Sequence, residues 1–492
     1  MRSPNRSIAG PRALSLRALS LRALSLRALS LRALSLRALS LRALSRCALL
    51  GLKTALAAAL TAAPAALAAQ SPAAAPPLSD AERRVSRAVD QRTPAAIALL
   101  ERLVNINSGT HNLAGVRAVG AVLRAQFDSL GFTTRWVDQS AVKRAGHLVA
   151  EHPGPGPKLV LIGHLDTVFE PSSPFQKFEK LADSTARGPG IIDMKGGDVI
   201  IVTALRALKD ANLLAPMNIT VVFDGDEEDA GRPLSDARRT LIDAAQGAAA
   251  AIGFEDGPGD PTKGVISRRG ATNWTIRTSG TPGHASQIFR DDIGAGAIFE
   301  AARILREFQS TLAGERYLAF SPGLIAGGSQ VSVDSSGDGA TAAGKHNVIA
   351  GTAVVTGDMR TVSPDQLART KTAMREIVAQ HLPLTKAEIS FDEGYPPMAP
   401  TDGNRRLLGI FDAAARALGT GPVDAVDPSR AGAADVAFIA DIVPMNIDGI
   451  GLSGHDDHSD KETADLRMLS VQAKRAALLL HRLSVAQSAP RP

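Results

Sequence analysis

The sequence predicts an α/β fold with a mostly parallel central sheet, interrupted by an inserted α+β unit of ferredoxin-like type. Three observations predict it. Short apolar runs at 159–163, 219–223 and 248–254 alternate with helical stretches, as buried parallel strands do. Each run ends in metal-seeking side chains: His164 and Asp166, then Asp226, Glu227 and Glu228, then Glu255 and Asp256. From Gly264 the order becomes β-α-β-β-α-β, and α/β character resumes near Tyr395.

The elements follow in order. Segment 80–91 reads as a charged helix and 94–104 as a second, with apolar residues at helical spacing. Ser108-Gly-Thr110 breaks it, and a helix over 116–130 is ended by Gly131. Strands are expected at 133–137 and 147–151, then the strand to His164, a glycine-rich turn at 188–197 and a helix over 195–209. Strand 219–223, a helix at 236–245 and strand 248–254 complete the first part. In the insert, 264–279 alternates like an exposed antiparallel strand, with Val265, Trp274 and Ile276 among its apolar positions. A helix over 294–312, strands at 323–333 and 348–361, a helix over 364–381 and a strand at 387–392 follow. The last part supplies a helix at 405–418, a strand at 445–449, the 455–462 loop and a closing helix at 466–483. The domain reading is therefore 80–266 and 395–486 for one layer and 267–394 for the insert.

The first 68 residues do not read as fold. A five-residue unit beginning at Arg12 repeats its arginine at 17, 22, 27, 32, 37 and 42, a period that matches neither helix nor strand. An Ala/Leu-rich stretch at 48–63 then leads to Ala66-Leu67-Ala68, a small-x-small pattern. This reads as a secretory signal peptide cleaved near Ala68 or Ala69, with a retained anchor as the alternative; 69–79 is a linker. A periplasmic or secreted location is the expectation. The leader holds ten Arg, one Lys and no acid, so the remaining 44 bases face 49 acids, a net of −5. The basic character belongs to the leader, and no nucleic-acid role follows from it. Cys47 is the only cysteine. After cleavage, disulfides and thiolate ligands are excluded, so any metal must be held by oxygen and imidazole nitrogen.

In open α/β sheets, ligands bind beyond the carboxyl ends of the strands, so these strand ends deliver their acids and imidazoles to one place. Acids that close repel unless cations lie between them. His164 and Asp166 share a face of an extended segment, so one can bind metal while the other supports it. Asp193 lies in the glycine-dense turn that opens a helix, where an N-terminal acid favouring the helix dipole is the plainer reading. Glu227 and Glu228 are consecutive, and at a strand end one can ligate while the other acts as base. His458 shares a loop with His455, Asp456, Asp457 and Asp460, and spacing leaves open which histidine ligates. Two bridged divalent ions need a shared carboxylate and roughly two further ligands each. His164, Asp193, Glu228, Glu255 and His458 meet that count. Oxygen and nitrogen donors without sulfur fit Zn2+, with Co2+ or Mn2+ as the other candidates.

The motifs Gly163-His-Leu-Asp-Thr-Val168, Gly188-Pro-Gly-Ile-Ile-Asp-Met-Lys-Gly-Gly197, Asp226-Glu-Glu228, Gly253-Phe-Glu-Asp256, Gly283-His-Ala-Ser286 and His458-Ser-Asp-Lys461 occur in one order. In that order the chain resembles the dizinc metallopeptidases and amidohydrolases that include glutamate carboxypeptidase, aminoacylase and succinyl-diaminopimelate desuccinylase. Asn105-Ile-Asn-Ser-Gly-Thr110 brings it nearest to glutamate carboxypeptidase. The resemblance implies a catalytic layer with an inserted lid and dimerisation domain, and so a homodimer. It implies that His164, Asp193 and Glu255 hold one zinc, and that Asp193 bridges to a second held by Glu228 and His458. Asp166 would orient His164, and Glu227 would be the general base and later the proton donor. His284 would stabilise the oxyanion, often across the dimer, while Asn347 and Arg360 would bind a substrate carboxylate. Lys263 is a weaker candidate for an acidic side chain. The expected substrate is a small peptide or N-acyl amino acid cleaved at a C-terminal peptide or amide bond. An N-acyl-amino-acid amidohydrolase or dipeptidase is the alternative, and a non-catalytic metal-stabilised binding protein the alternative of another class. Arg268-Arg269 and the Gly/Ser/Asp-rich loop 327–345 depart from the family pattern.

Overall fold

The computed structural model describes residues 77–256, 259–334, 337, 339–486. The repeat, the signal peptide and its cleavage site lie outside the described residues. Helix α1, Asp80–Val104, is closed at its start by a capping box between Ser79 and Glu82. It is one helix where two were expected, and it runs through Pro94. The proline removes an N–H that would have reached residue 90, which is exposed to water, and the buried stripe of Val85, Val89, Ala96, Leu100 and Leu103 continues across it. Helix α2, Leu113–Leu130, ends at Gly131 with φ +92°, as expected.

Strands β1 (Thr133–Val137), β2 (His147–His152), β3 (Lys158–His164), β4 (Asn218–Asp224), β5 (Ala250–Gly253) and the two-residue β10 (Asn446–Ile447) form one sheet. Its order is β1-β2-β4-β3-β5-β10. The pairs β4–β3, β3–β5 and β5–β10 are parallel, while β1–β2 and β2–β4 form an antiparallel edge. Both faces are covered. Leu159 and Leu161 enter one core with helix α3 (Gly196–Asp210), and Val160 and Ile162 enter the other with Leu241 and Ala244. Period-two alternation inside an all-apolar run is what a strand buried on both sides requires. The expected helix at 236–245 is two short pieces, Leu234–Ala237 and Arg239–Ala245.

The inserted segment has the expected order: β6 (Gly270–Gly280), α4 (Gly296–Leu312), β7 (Ala319–Gly328), β8 (Thr352–Thr361), α5 (Pro364–Ala379) and β9 (Thr385–Glu393). Its antiparallel sheet runs β7-β8-β6-β9. Trp274, Ile276, Ile304, Phe308, Val355 and Met374 make a core of its own. The strand expected at 323–333 is divided: Gln330–Val333 leaves the sheet and pairs with Ala340–Ala343, from the stretch read as a Gly/Ser/Asp-rich loop, in a small hairpin. The two chain crossings touch. Arg268 and Met398 exchange backbone hydrogen bonds, and Ala271 donates to the Tyr395 carbonyl. A Cβ at Gly394 would lie 2.1 Å from the Ala271 carbonyl oxygen, so only glycine fits this approach. Helices α6 (Asp402–Ala417) and α7 (Leu466–Ala486) close the first layer. No helix among the described residues is long and apolar enough to cross a membrane.

Candidate metal centre

The carboxyl ends of β3, β4 and β5 meet as expected. His164 is the last residue of β3 and is buried. Its Nε2 lies 3.0 Å from Asp193 Oδ1 and 3.3 Å from Glu255 Oε1, and its Nδ1 faces Asp166 Oδ1 at 3.4 Å. Asp193 stands between two imidazoles, because its Oδ2 accepts from His458 Nε2 at 2.8 Å. His458 Nε2 also lies 3.3 Å from Glu228 Oε2. Among the histidines of the 455–462 loop, the structure therefore turns His458 toward the acids, with a left-handed φ of 57°.

The turn carrying Asp193 is held from outside. Gly190 has φ +69°, which gives the chain its sharp entry. Glu462, buried, accepts from the Gly190, Ile192 and Asp193 N–H groups at 2.9, 2.9 and 3.2 Å. Sequence reading gave Glu462 no role, though it closes the His455–Glu462 cluster. Lys195, fully buried, donates from Nζ to the Ile106 carbonyl.

Asp166 fixes the acidic turn after β4. Its carboxylate accepts the Thr110 hydroxyl at 2.6 Å, the Glu227 N–H at 3.0 Å and the Glu228 N–H at 3.1 Å. Asp226, one of the strand-end acids, accepts from Arg238 Nη1 at 2.7 Å and from the Gly231 N–H at 2.8 Å. It anchors the turn. Asp256 lines the cavity beside Glu255.

The electrostatics is that of a site lacking positive charge. Burial pushes the Glu228 and Glu255 carboxyls up to about 7 each, with the Asp193 charge adding to both. Burial, then Glu255, raises Glu227 well above the usual carboxylate range. Burial also acts to raise Asp193, but hydrogen bonds from His164 and His458 outweigh it and hold that carboxyl low. The same bonds to Asp193 and Glu228 push His458 up to about 11. Glu228 Oε1 is buried and has no hydrogen-bond partner among the described residues. The donor atoms of His164, Glu227 and Glu255 lie within 4.8 Å of one another, and so do those of His164, Asp193 and Glu228. Oxygen and imidazole donors at this spacing, with an orphaned carboxylate oxygen among them, fit divalent cations. Glu227 falls within the first group, while His458 joins through Asp193 and Glu228.

These residues open on a cavity of about 480 Å3 lined by Asp193, Glu227, Glu228, Glu255, Arg268 and His458, among others. Of the expected substrate residues, His284, Asn347 and Arg360 are not among its lining. His284 and Asn347 are brought close to each other, since Gly283–His284 pairs with Val348–Ile349 and the Asn347 carbonyl accepts from Ala285. Both are exposed. Arg360, on β8, is held by Asp358 at 2.8 Å. Lys263 faces Asp424 at 3.6 Å. Arg268, flagged in the sequence only as a departure, is buried in the cavity wall and donates from Nε to Asp448 at 3.0 Å.

The model of peptidase family M20/M25/M40 matches residues 160–482, which include all five expected ligands. The chain belongs to this family. It is 27% identical over 397 residues to carboxypeptidase G2 of a Pseudomonas species, covering 80% of this chain and 90% of that one. Among solved structures, aminopeptidase PepT of Bacillus cereus matches with a TM-score of 0.63 at 18% identity, over 80% of this chain and 98% of that one. The YXEP protein of Bacillus subtilis, described as a dinuclear metal-binding peptidase of the M20 family, matches with a TM-score of 0.55 at 18% identity, over 80% and 99%. At those identities the two structures establish the fold. The family match makes the chain a metal-dependent hydrolase.

Proposed function

We propose that this M20 hydrolase is a secreted or periplasmic dizinc carboxypeptidase, glutamate-carboxypeptidase-like, that cleaves a C-terminal peptide or amide bond of a substrate with a free carboxylate. The observation that carries the reading is the Asp193 carboxylate shared between His164 at 3.0 Å and His458 at 2.8 Å, with Glu227 on the same cavity. His164, Asp193 and Glu255 would hold one ion, and Asp193, Glu228 and His458 the other. Two bound ions supply Lewis acidity for the scissile carbonyl and for the attacking water. Glu227, on the same cavity wall, takes the proton of that water and passes it to the leaving amine. Asp166 keeps the His164 ring in place through Nδ1.

The insert serves as lid and as the surface for a second copy. Phe289, Ile298, Phe299 and Ile325 are exposed on it, and the Phe289 and Phe299 rings touch at 5.4 Å. Such a patch supports association. His284 and Asn347 are exposed on the insert, away from the cavity lining of their own chain. That placement suits delivery to a partner's substrate, with Arg360 turning from Asp358 to a substrate carboxylate. Mass in solution tests the dimer, and sequencing the exported N-terminus tests secretion.

The reaction is tested at Glu227. Replacement by Gln keeps the size and removes the base, so turnover should fall by about a hundredfold or more. Elemental analysis should still find about two zinc-like ions per chain. An active Gln variant, or protein that binds no ion after reconstitution, contradicts this mechanism.

A further inference from the structure

A buried polar network links the acidic turn to the crossing by which the insert returns to the first layer. Arg238 is fully buried and donates to Asp226 Oδ1 at 2.7 Å, Asp435 Oδ1 at 2.6 Å and the Tyr395 hydroxyl at 2.7 Å. The Tyr395 hydroxyl in turn donates to the Glu227 backbone carbonyl at 2.7 Å. Tyr395 lies immediately after Gly394, in the tight crossing described above. Its ring meets Phe438 at 4.9 Å, and the Arg238 guanidinium lies 5.6 and 5.4 Å from the two rings. A second contact reaches the same turn from the insert: Arg232 Nη1 donates to the Glu393 carbonyl at 2.8 Å and to Asp392 at 3.2 Å.

The Glu227 backbone is thus held from both sides. Its N–H is taken by Asp166, in the catalytic layer, and its carbonyl by Tyr395, at the insert's return crossing. We propose that Tyr395 is a positioning residue for Glu227, holding the general base from the crossing of the insert while Arg238 fixes the hydroxyl in place. The proposal rests on the reading of Glu227 as base. A hydroxyl oxygen can accept from Arg238 and donate to the carbonyl at once, which phenylalanine cannot do. Loss of that bond leaves the Glu227–Glu228 peptide held on one side only, by the Glu228 N–H to Asp166, and a misplacement of about 1 Å at a reacting group costs on the order of a hundredfold in rate.

The experiment compares Tyr395→Phe, Phe438→Leu and Glu227→Gln as full, metal-loaded protein, on the best substrate from a screen of folate-like, N-acyl and dipeptide compounds. Tyr395→Phe should lower kcat by about tenfold to a hundredfold, with KM within about twofold and zinc content unchanged. In metal-free protein, amide exchange over residues 226–231 should accelerate in Tyr395→Phe. Phe438→Leu loosens the same packing but keeps the hydroxyl, so it should retain the parent kcat. An inactive Glu227→Gln beside a Tyr395→Phe of parental kcat overturns the positioning role alone. An equal loss in Phe438→Leu reduces the effect to packing and overturns it too. An active Glu227→Gln overturns the base reading and this proposal with it.

Discussion

Asp166 holds no predicted ligand role, yet its two carboxylate oxygens receive the Thr110 hydroxyl and the N–H groups of Glu227 and Glu228, while facing His164 Nδ1. Each Asp166 oxygen accepts a backbone N–H, so Asp166→Asn would turn its amide N–H2 toward one of them and leave a buried donor unpaired. It should reduce both kcat and zinc affinity by about tenfold to a hundredfold, read by kinetics and competitive metal titration. A variant that lost activity at unchanged zinc affinity would contradict the shared role. At this scale the sequence was informative for the residues that approach one another. Strand-end placement and motif order named His164, Asp193, Glu228, Glu255 and His458, and they do converge. Glu462, Arg238 and Tyr395 were illegible for a physical reason. They act on backbone groups contributed by segments remote in sequence, and neither periodicity nor short spacing encodes that.

The strands were legible because buried parallel strands are continuous apolar runs, and the first strand to His164 ends where expected. Helix α1 was misdivided because proline lowers helix propensity locally, whereas the stripe packed on the core decides the outcome. Gln330–Val333 alternates and lies within the strand expected at 323–333, but its partner Ala340–Ala343 was hidden by small side chains that carry no polar–apolar alternation. Element contacts also give a prediction at the insert crossing. Gly394→Ala would place a methyl group 2.1 Å from the Ala271 carbonyl oxygen. Backbone must shift there, at a cost of roughly 1–3 kcal/mol. The melting temperature should fall, and kcat with it if the shift displaces Tyr395; an unchanged melting temperature would show that the crossing yields freely.

For the whole molecule, the charge of the site makes stability depend on metal and pH together. In metal-free protein Glu228 and Glu255 have carboxyls raised to about 7. A group raised in this way contributes stability that is complete below its unfolded value of about 4.5 and lost as pH rises through about 7. His458 has the same sign, with its contribution complete below about 6.5 and lost through about 11. Bound cations favour the ionised carboxylates and neutral imidazoles instead. The gap in melting temperature between zinc-loaded and metal-stripped protein should therefore widen from about pH 5 to about pH 8, as measured by calorimetry. A constant gap would mean that these groups do not bear on folding. His458 and Glu462, which complete the Asp193 cluster, lie beyond the whole insert in the chain. During synthesis, then, the nascent chain presents His164, Asp193, Glu228 and Glu255 long before the last imidazole emerges. The centre matures last, and a ribosome stalled within the insert would leave a chain that has every strand of the first sheet except its edge but cannot assemble both of the proposed ion positions.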